Sequence, residues 1–228
     1  MARLRPCAIL LAALLLGAPP GQMAAAEAPL NVTVEGLKPG GVILGVYAYC
    51  IPAKKGHETA GPNRSPEIAW SKGPSGTRSY VLIVVDPDVP TVFTNADKEG
   101  VTIPASMKRR PWYHWLLVDI PPSITTLPED AGSKDTSPKP AGPSKFGVNG
   151  LNDYGGGRGA YDGPCPPWND AIVHHYHFEV YALSVAHLSL PSGFTGSDVV
   201  QAIQGHVLAR GEVVGRYALN PAVAKTLH

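Results

Sequence analysis

His174-His175-Tyr176-His177-Phe178-Glu179-Val180-Tyr181-Ala182-Leu183 is the stretch from which the architecture can be worked out. Its side chains alternate, so that His174, Tyr176, Phe178, Val180 and Ala182 share one face and His175, His177, Glu179 and Tyr181 the other. A period of two, rich in aromatic residues, belongs to a half-buried strand. The first set is the inward one. His175 and His177 then face solvent, although their spacing permits a pair of metal ligands, and His174 stands at the head of an apolar face.

Working outward, short apolar runs recur between turn-rich breaks: Val32 to Val34, Val42 to Ala48, Tyr80 to Val85, His114 to Ile120 and Glu212 to Leu219. These read as further strands of a sandwich or barrel. In the run after Arg110, Trp112, His114, Leu116, Val118 and Ile120 alternate with Tyr113, Trp115, Leu117 and Asp119. Both sets are fairly apolar, as in a central strand covered on each side. One helix is predicted near residues 197–210, where Thr195 and Asp198 form a capping box, Val199, Ile203 and Val207 repeat every four residues, and Gly211 follows. Residues 91–111 and 128–145 read as long surface loops, with Lys108-Arg109-Arg110 as a solvated loop end.

The composition agrees with this. Among 228 residues there are 25 Gly and 24 Pro, 44% are hydrophobic and only 16% are charged, which suits a β-rich, loop-heavy domain and not a helical bundle. Residues 1–26 read as a secretory signal: Arg3 and Arg5, the apolar run Ala8 to Leu16, then Ala24-Ala25-Ala26. Removing it takes away two positive charges, so the formal +1 of the chain becomes about −1 for residues 27–228. Attraction to nucleic acid by net charge is therefore excluded, and no later stretch is long enough for a membrane helix. The expected location is periplasmic or secreted. Cys50 and Cys165 can form a disulfide there or stand apart as two thiols; the sequence leaves both open.

Asp86-Pro87-Asp88-Val89-Pro90 places two carboxylates in a proline-fixed turn at the end of the Tyr80 to Val85 strand. Proline removes backbone donors there, so the carboxylates need partners from elsewhere. With it stand Ser65-Pro66-Glu67-Ile68-Ala69-Trp70, Trp112-Tyr113-His114-Trp115, Asn152-Asp153-Tyr154-Gly155, and Gly163-Pro164-Cys165-Pro166-Pro167 leading to His174-His175-Tyr176. In order and spacing these resemble the phosphatidylethanolamine-binding protein family, also called the Raf kinase inhibitor protein family, in its bacterial YbhB/YbcL-like branch. The resemblance spans roughly residues 40–220. It implies a mostly-β sandwich of two largely antiparallel sheets with a few peripheral helices, and a ligand pocket where Asp86 and Asp88, His114, and Gly163, Pro164, Pro166, His174 and Tyr176 meet. Two departures stand out: His175 replaces the arginine the family often has, and the segment between Asp88 and His114 is long.

The chemistry expected of that pocket is binding of a small anionic or phosphorylated group. His114 and His174, both protonated, would donate hydrogen bonds, Asp86 would orient one imidazole, and the Gly163 amide would add a donor. Trp112 and Tyr176 would supply walls or a hydroxyl. Binding would then weaken as pH rises through about 6 to 7. No cofactor, resident metal or catalytic residue is implied. The alternative readings are a small hydrolase or metal-dependent enzyme using the Asp/His cluster, with water as nucleophile because no Gly-x-Ser-x-Gly occurs, and an extracytoplasmic inhibitor or partner-binding module whose protein partner the sequence does not name.

Overall fold

The alternation along residues 174–182 survives folding: His174, Tyr176, Phe178, Val180 and Ala182 are all buried, while His175, His177, Glu179 and Tyr181 keep partial access to solvent. The computed structural model describes residues 28–227, so the expected signal segment lies outside the described residues. The elements are β1 (Ala28–Pro29), β2 (Val32–Val34), β3 (Cys50–Pro52), β4 (Glu58–Ala60), β5 (Ile68–Trp70), β6 (Ser79–Pro90), β7 (Arg109–Ile120), β8 (Thr126–Leu127), β9 (Gly142–Pro143), β10 (Val148–Asn149), β11 (His174–Leu183), α1 (Gly196–Ala202), β12 (Val207–Tyr217) and α2 (Pro221–Ala224).

A seven-stranded sheet runs β1-β12-β11-β6-β7-β10-β9, a three-stranded sheet β2-β5-β8, and β3-β4 form a separate hairpin. Every pairing is antiparallel except that of β1 with β12. The main core lies between the large and the three-stranded sheet, with Tyr80, Leu82, Trp115, Tyr176, Phe178 and Val180 against Val34, Ile68, Trp70 and Leu127. On the opposite face Val81, Ile83, Leu116 and Val118 pack beneath Phe194, Val199 and Ile203 around α1. The large sheet is thus covered on both sides, which is why β6 and β7 read as nearly continuous apolar runs.

Several expectations are corrected. Val42 to Ala48 is not a strand: Gly45–Tyr47 makes a 3-10 turn, and burial of Ile43, Tyr47 and Ala48 explains the apolar run without one. The helix stops at Ala202, because Gly205 takes φ 77° and the chain turns into β12 at Val207. Val207 still packs on the same cluster as Val199 and Ile203, so the fourfold apolar repeat continued past the helix it was taken to mark. At its start the box is present, with the Thr195 amide donating to Asp198 Oδ2 at 2.8 Å.

The Asp86-Pro87-Asp88-Val89-Pro90 segment is likewise no turn. It continues β6, in which Asp86 pairs with Trp112 and Val89 with Arg110, so Pro87 and Asp88 bulge opposite Pro111. A second bulge sets the site. Val84 pairs with Trp115 and Val85 with Tyr113, which leaves His114 as the extra residue. Such an insertion re-aims side chains. Tyr113 packs toward α1, Trp115 sits in the main core, and Leu116 and Val118 lie on the face opposite Trp115, not in one row with His114 and Ile120 as strict alternation predicted.

Candidate functional site

The charges at the end of β6 and β11 form one buried chain. The Asp88 amide donates to Asp86 Oδ1 at 2.7 Å, and His174 Nδ1 donates to Asp86 Oδ2 at 2.7 Å. The other ring nitrogen, Nε2, lies 3.2 Å from Asp170 Oδ2, and Arg109 grips Asp170 with both Nη atoms at 2.5 and 2.9 Å. Arg109, Asp170, His174 and Asp86 thus alternate in sign. His174 is fully buried, and burial alone would lower its pKa; the Asp86 carboxylate and then Asp170 outweigh that and raise it to about 9. His174 is therefore an imidazolium at neutral pH. For Asp170, burial pushes upward, but His174 and Arg109 outweigh it and hold the carboxyl below its ordinary value. Arg109, expected at a solvated loop end, is the far counterion of this chain.

Beside the chain opens a cavity of about 100 Å³, lined by Asp86, Trp112, His114, Tyr154, Cys165, Pro166, Pro167 and Tyr176, together with Val89, Phe93, Ala96 and Asp97. That is room for a few waters or one oxyanion. His114 Nδ1 donates to the Asp162 carbonyl at 2.7 Å, so its ring carries the proton there and presents the Nε2 lone pair. That Nε2 is buried without a partner. Burial lowers the His114 pKa, with Asp86 and the Asp162 carbonyl pulling the other way, and the ring stays neutral. Tyr176 Oη is also buried and makes no hydrogen bond of ordinary geometry, although it faces the Asp86 carboxylate closely enough to interact with it, and the two rings stand edge to face at 5.2 Å. Burial and the neighbouring Asp86 hold the phenol protonated.

The wall behind His114 is set by Asp162, whose carboxylate accepts from Asn63 Nδ2 at 3.0 Å, Asn152 Nδ2 at 2.9 Å and Arg158 Nη1 at 3.2 Å. Tyr154 Oη donates to the Gly163 carbonyl at 2.6 Å. Cys50 and Cys165 are joined as a disulfide, which ties the pocket segment to β3.

Of the residues expected at the pocket, Asp86, His114, Pro166 and Tyr176 line the cavity. His174 stands behind Asp86, with both nitrogens occupied, so it orients Asp86 and offers nothing to a ligand. Asp88 turns away, accepting from His175 N at 2.9 Å and His175 Nδ1 at 2.7 Å. The Pro164 carbonyl accepts from the Tyr49 and Cys50 amides at 3.0 and 3.1 Å. The Gly163 amide, expected as a ligand donor, is taken by Asn63 Oδ1 at 2.8 Å. Glycine is required at 163 for another reason: a Cβ there would lie 2.0 Å from the Tyr47 carbonyl oxygen. Gly163→Ala is expected to cost about 1–3 kcal/mol in urea unfolding through overpacking against backbone; an unchanged midpoint would contradict that close approach.

Among the described residues, two groups bring three metal-type ligands together: Cys50, Glu58 and Cys165, and His177, Glu179 and Glu212. Neither contains His114 or His174. No serine or threonine lines the cavity.

A sequence model described as phosphatidylethanolamine-binding protein matches residues 38–218. The chain belongs to the phosphatidylethanolamine-binding protein family. Among its relatives in that family, YbcL of Escherichia coli (strain K12) is 32% identical over 195 residues, covering 86% of this chain and 91% of YbcL. A relative from Aquifex aeolicus (strain VF5) is 36% identical over 186 residues, covering 78% and 90%. The crystal structure of Escherichia coli YbcL, titled a new member of the mammalian family, superposes with a TM-score of 0.62 at 29% identity, covering 84% of this chain and 99% of that one. A Chlamydia trachomatis homologue gives 0.58 at 28% identity, covering 83% and 97%. The mostly-β sandwich is thus the fold of the family. Among the described residues no helix is long and apolar enough to cross a membrane.

Proposed function

We propose that this protein is an extracytoplasmic binding protein whose cavity takes one phosphomonoester head of a larger ligand in its singly protonated form. The observation that carries the reading is the pair of buried atoms in one small cavity that make no hydrogen bond of ordinary geometry, His114 Nε2 and Tyr176 Oη. Buried polar atoms without partners cost free energy and call for something to satisfy them. A neutral imidazole offers an acceptor and a phenol a donor, so the matching group presents one O–H and one oxyanion on the same centre. A singly protonated phosphomonoester does so. A phosphodiester, such as the lipid in the family's description, has the oxyanion without the O–H and would satisfy only half of the pair.

Asp86 does not oppose this, because His174 already neutralises it. The location outside the cytoplasm rests on residues 1–26 and is supported by the disulfide, a bond that persists in oxidising compartments. Titration calorimetry with phenyl phosphate at pH 6 tests the site. Tyr176→Phe removes one hydroxyl and no ring, and a hydrogen bond to a charged group is worth about 1.5–3 kcal/mol, so affinity is expected to fall about tenfold to a hundredfold. Undiminished binding in that variant would remove Tyr176 Oη from the site.

A further inference from the structure

The disulfide has surroundings that a purely structural cross-link does not need. Cys50 is buried on β3, whereas Cys165 is only partly buried and forms part of the cavity wall. A Glu58 carboxylate oxygen lies within 4.8 Å of both sulfurs. Its other feature is more telling: Glu58 Oε2 is buried with no hydrogen-bond partner, although nothing in the pocket chemistry above uses it. Burial first, and then the Asp97 carboxylate, raise the Glu58 pKa against the opposing pull of His57. Tyr217 on β12 also faces this group and holds the Cys50 carbonyl at 2.9 Å. A carboxyl whose protonated form is favoured by burial, beside two sulfurs of which one borders the cavity, is equipped for proton transfer during thiol–disulfide exchange.

We infer that Cys50–Cys165 is a reducible exchange site, opened through the cavity by a small dithiol, with Glu58 as proton donor to the departing Cys50 sulfur. A thiolate of the dithiol attacks Cys165 Sγ; the Cys165–Cys50 bond breaks, and its electron pair leaves on Cys50 Sγ, which takes the Glu58 proton. The second thiol of the reductant, deprotonated by solvent, then attacks its own sulfur in the mixed disulfide and releases Cys165 thiolate, which is protonated by water. Glu58 regains its proton from solvent. The protein gains two electrons and the dithiol is oxidised by two, to its cyclic disulfide. Attack falls on Cys165 because Cys50 is enclosed, and departure is eased because the leaving sulfur is neutralised as it forms.

The experiment treats the folded mature protein with dithiothreitol without denaturant, quenches with a maleimide, and follows the mass gained by both cysteines over pH 5.5–9. The wild-type bridge is expected to open in the folded protein. Glu58→Gln, which cannot donate, is expected to open about tenfold more slowly at the acid end, with Glu58→Asp restoring part of the rate. The wild-type to Gln ratio should fall as pH rises through the raised Glu58 pKa, and reach one or less at pH 9, where an ionised Glu58 repels the departing thiolate. A bridge that resists dithiothreitol until denaturant unfolds the protein overturns the inference. So does a rate ratio that is one at every pH, or one that Glu58→Asp does not move. None of these outcomes bears on whether a phosphomonoester binds.

Discussion

His174→Leu is expected to destabilise the protein by about 3–5 kcal/mol at pH 7, the cost of breaking a buried ion pair from one side. Leucine fills the volume but leaves Asp86 with the Asp88 amide and the neighbouring Tyr176 hydroxyl and no cation, and Asp170 with Arg109 and the Ile172 amide. Both carboxylates are about 1% exposed, so bulk solvent does not screen the charge left by the lost imidazolium. The wild-type protein carries a second signature of the same cation. In the unfolded chain a histidine titrates near about 6.5; folded, His174 titrates at about 9. A raised folded pKa means that its contribution is complete below pH 6.5 and is lost as pH rises through 9. At about 1.4 kcal/mol per pKa unit, the loss is about 3 kcal/mol. Urea unfolding of wild type at pH 6 and pH 9.5 should show this decline, and His174→Leu should not. Equal wild-type stabilities at the two values would mean that His174 is not held as a cation.

What the sequence disclosed and what it concealed have separate physical causes. In β11 the period of two and the packing agree over nine residues, 174–182, so the inward face could be read directly. In β6 and β7 the extra residues at Pro87–Asp88, His114 and Asp119 shift the register without altering local composition. Asp119 is betrayed only by its φ of 56°, a conformation invisible before folding. The short strands β3, β4 and β8 to β10 span two or three residues each, too few for a period of two to repeat.

At the site, the convergence of distant segments was legible from the family motifs, but the division of labour between the two histidines was not. That division depends on Asp170, four residues before His174, and on Arg109, which lies outside every motif that carried the resemblance. Two carboxylates around His174 make it a cation with no free hydrogen; one carbonyl beside His114 leaves it neutral with a free lone pair. The same residue type thus does opposite work 60 positions apart. The Gly163 amide was misassigned because Asn63, its actual acceptor, stands 100 residues upstream with no motif to signal it.

That neutral lone pair leads to the prediction with the largest effect on ligand affinity. Because burial lowers the His114 pKa, the uncharged ring is favoured, and the proton shared between ring and ligand must arrive on the ligand. A phosphomonoester loses its second proton near about pH 6, and above that value its singly protonated form declines tenfold per unit. Affinity for phenyl phosphate is therefore expected to fall about two-hundredfold between pH 5.5 and 8.5, as a property of the ligand's titration and not of His174, which stays charged until about 9. Diethyl phosphate, with no proton to give in this range, should bind weakly and with little pH dependence. The sign is the same as for a pocket of two imidazolium donors, but the contrast between the esters is not: two cations would hold the diester as well as the monoester. Calorimetric titrations of both ligands across that range separate the two. If the monoester binds equally at both ends, or if the diester matches it at pH 5.5, His114 Nε2 is not an acceptor.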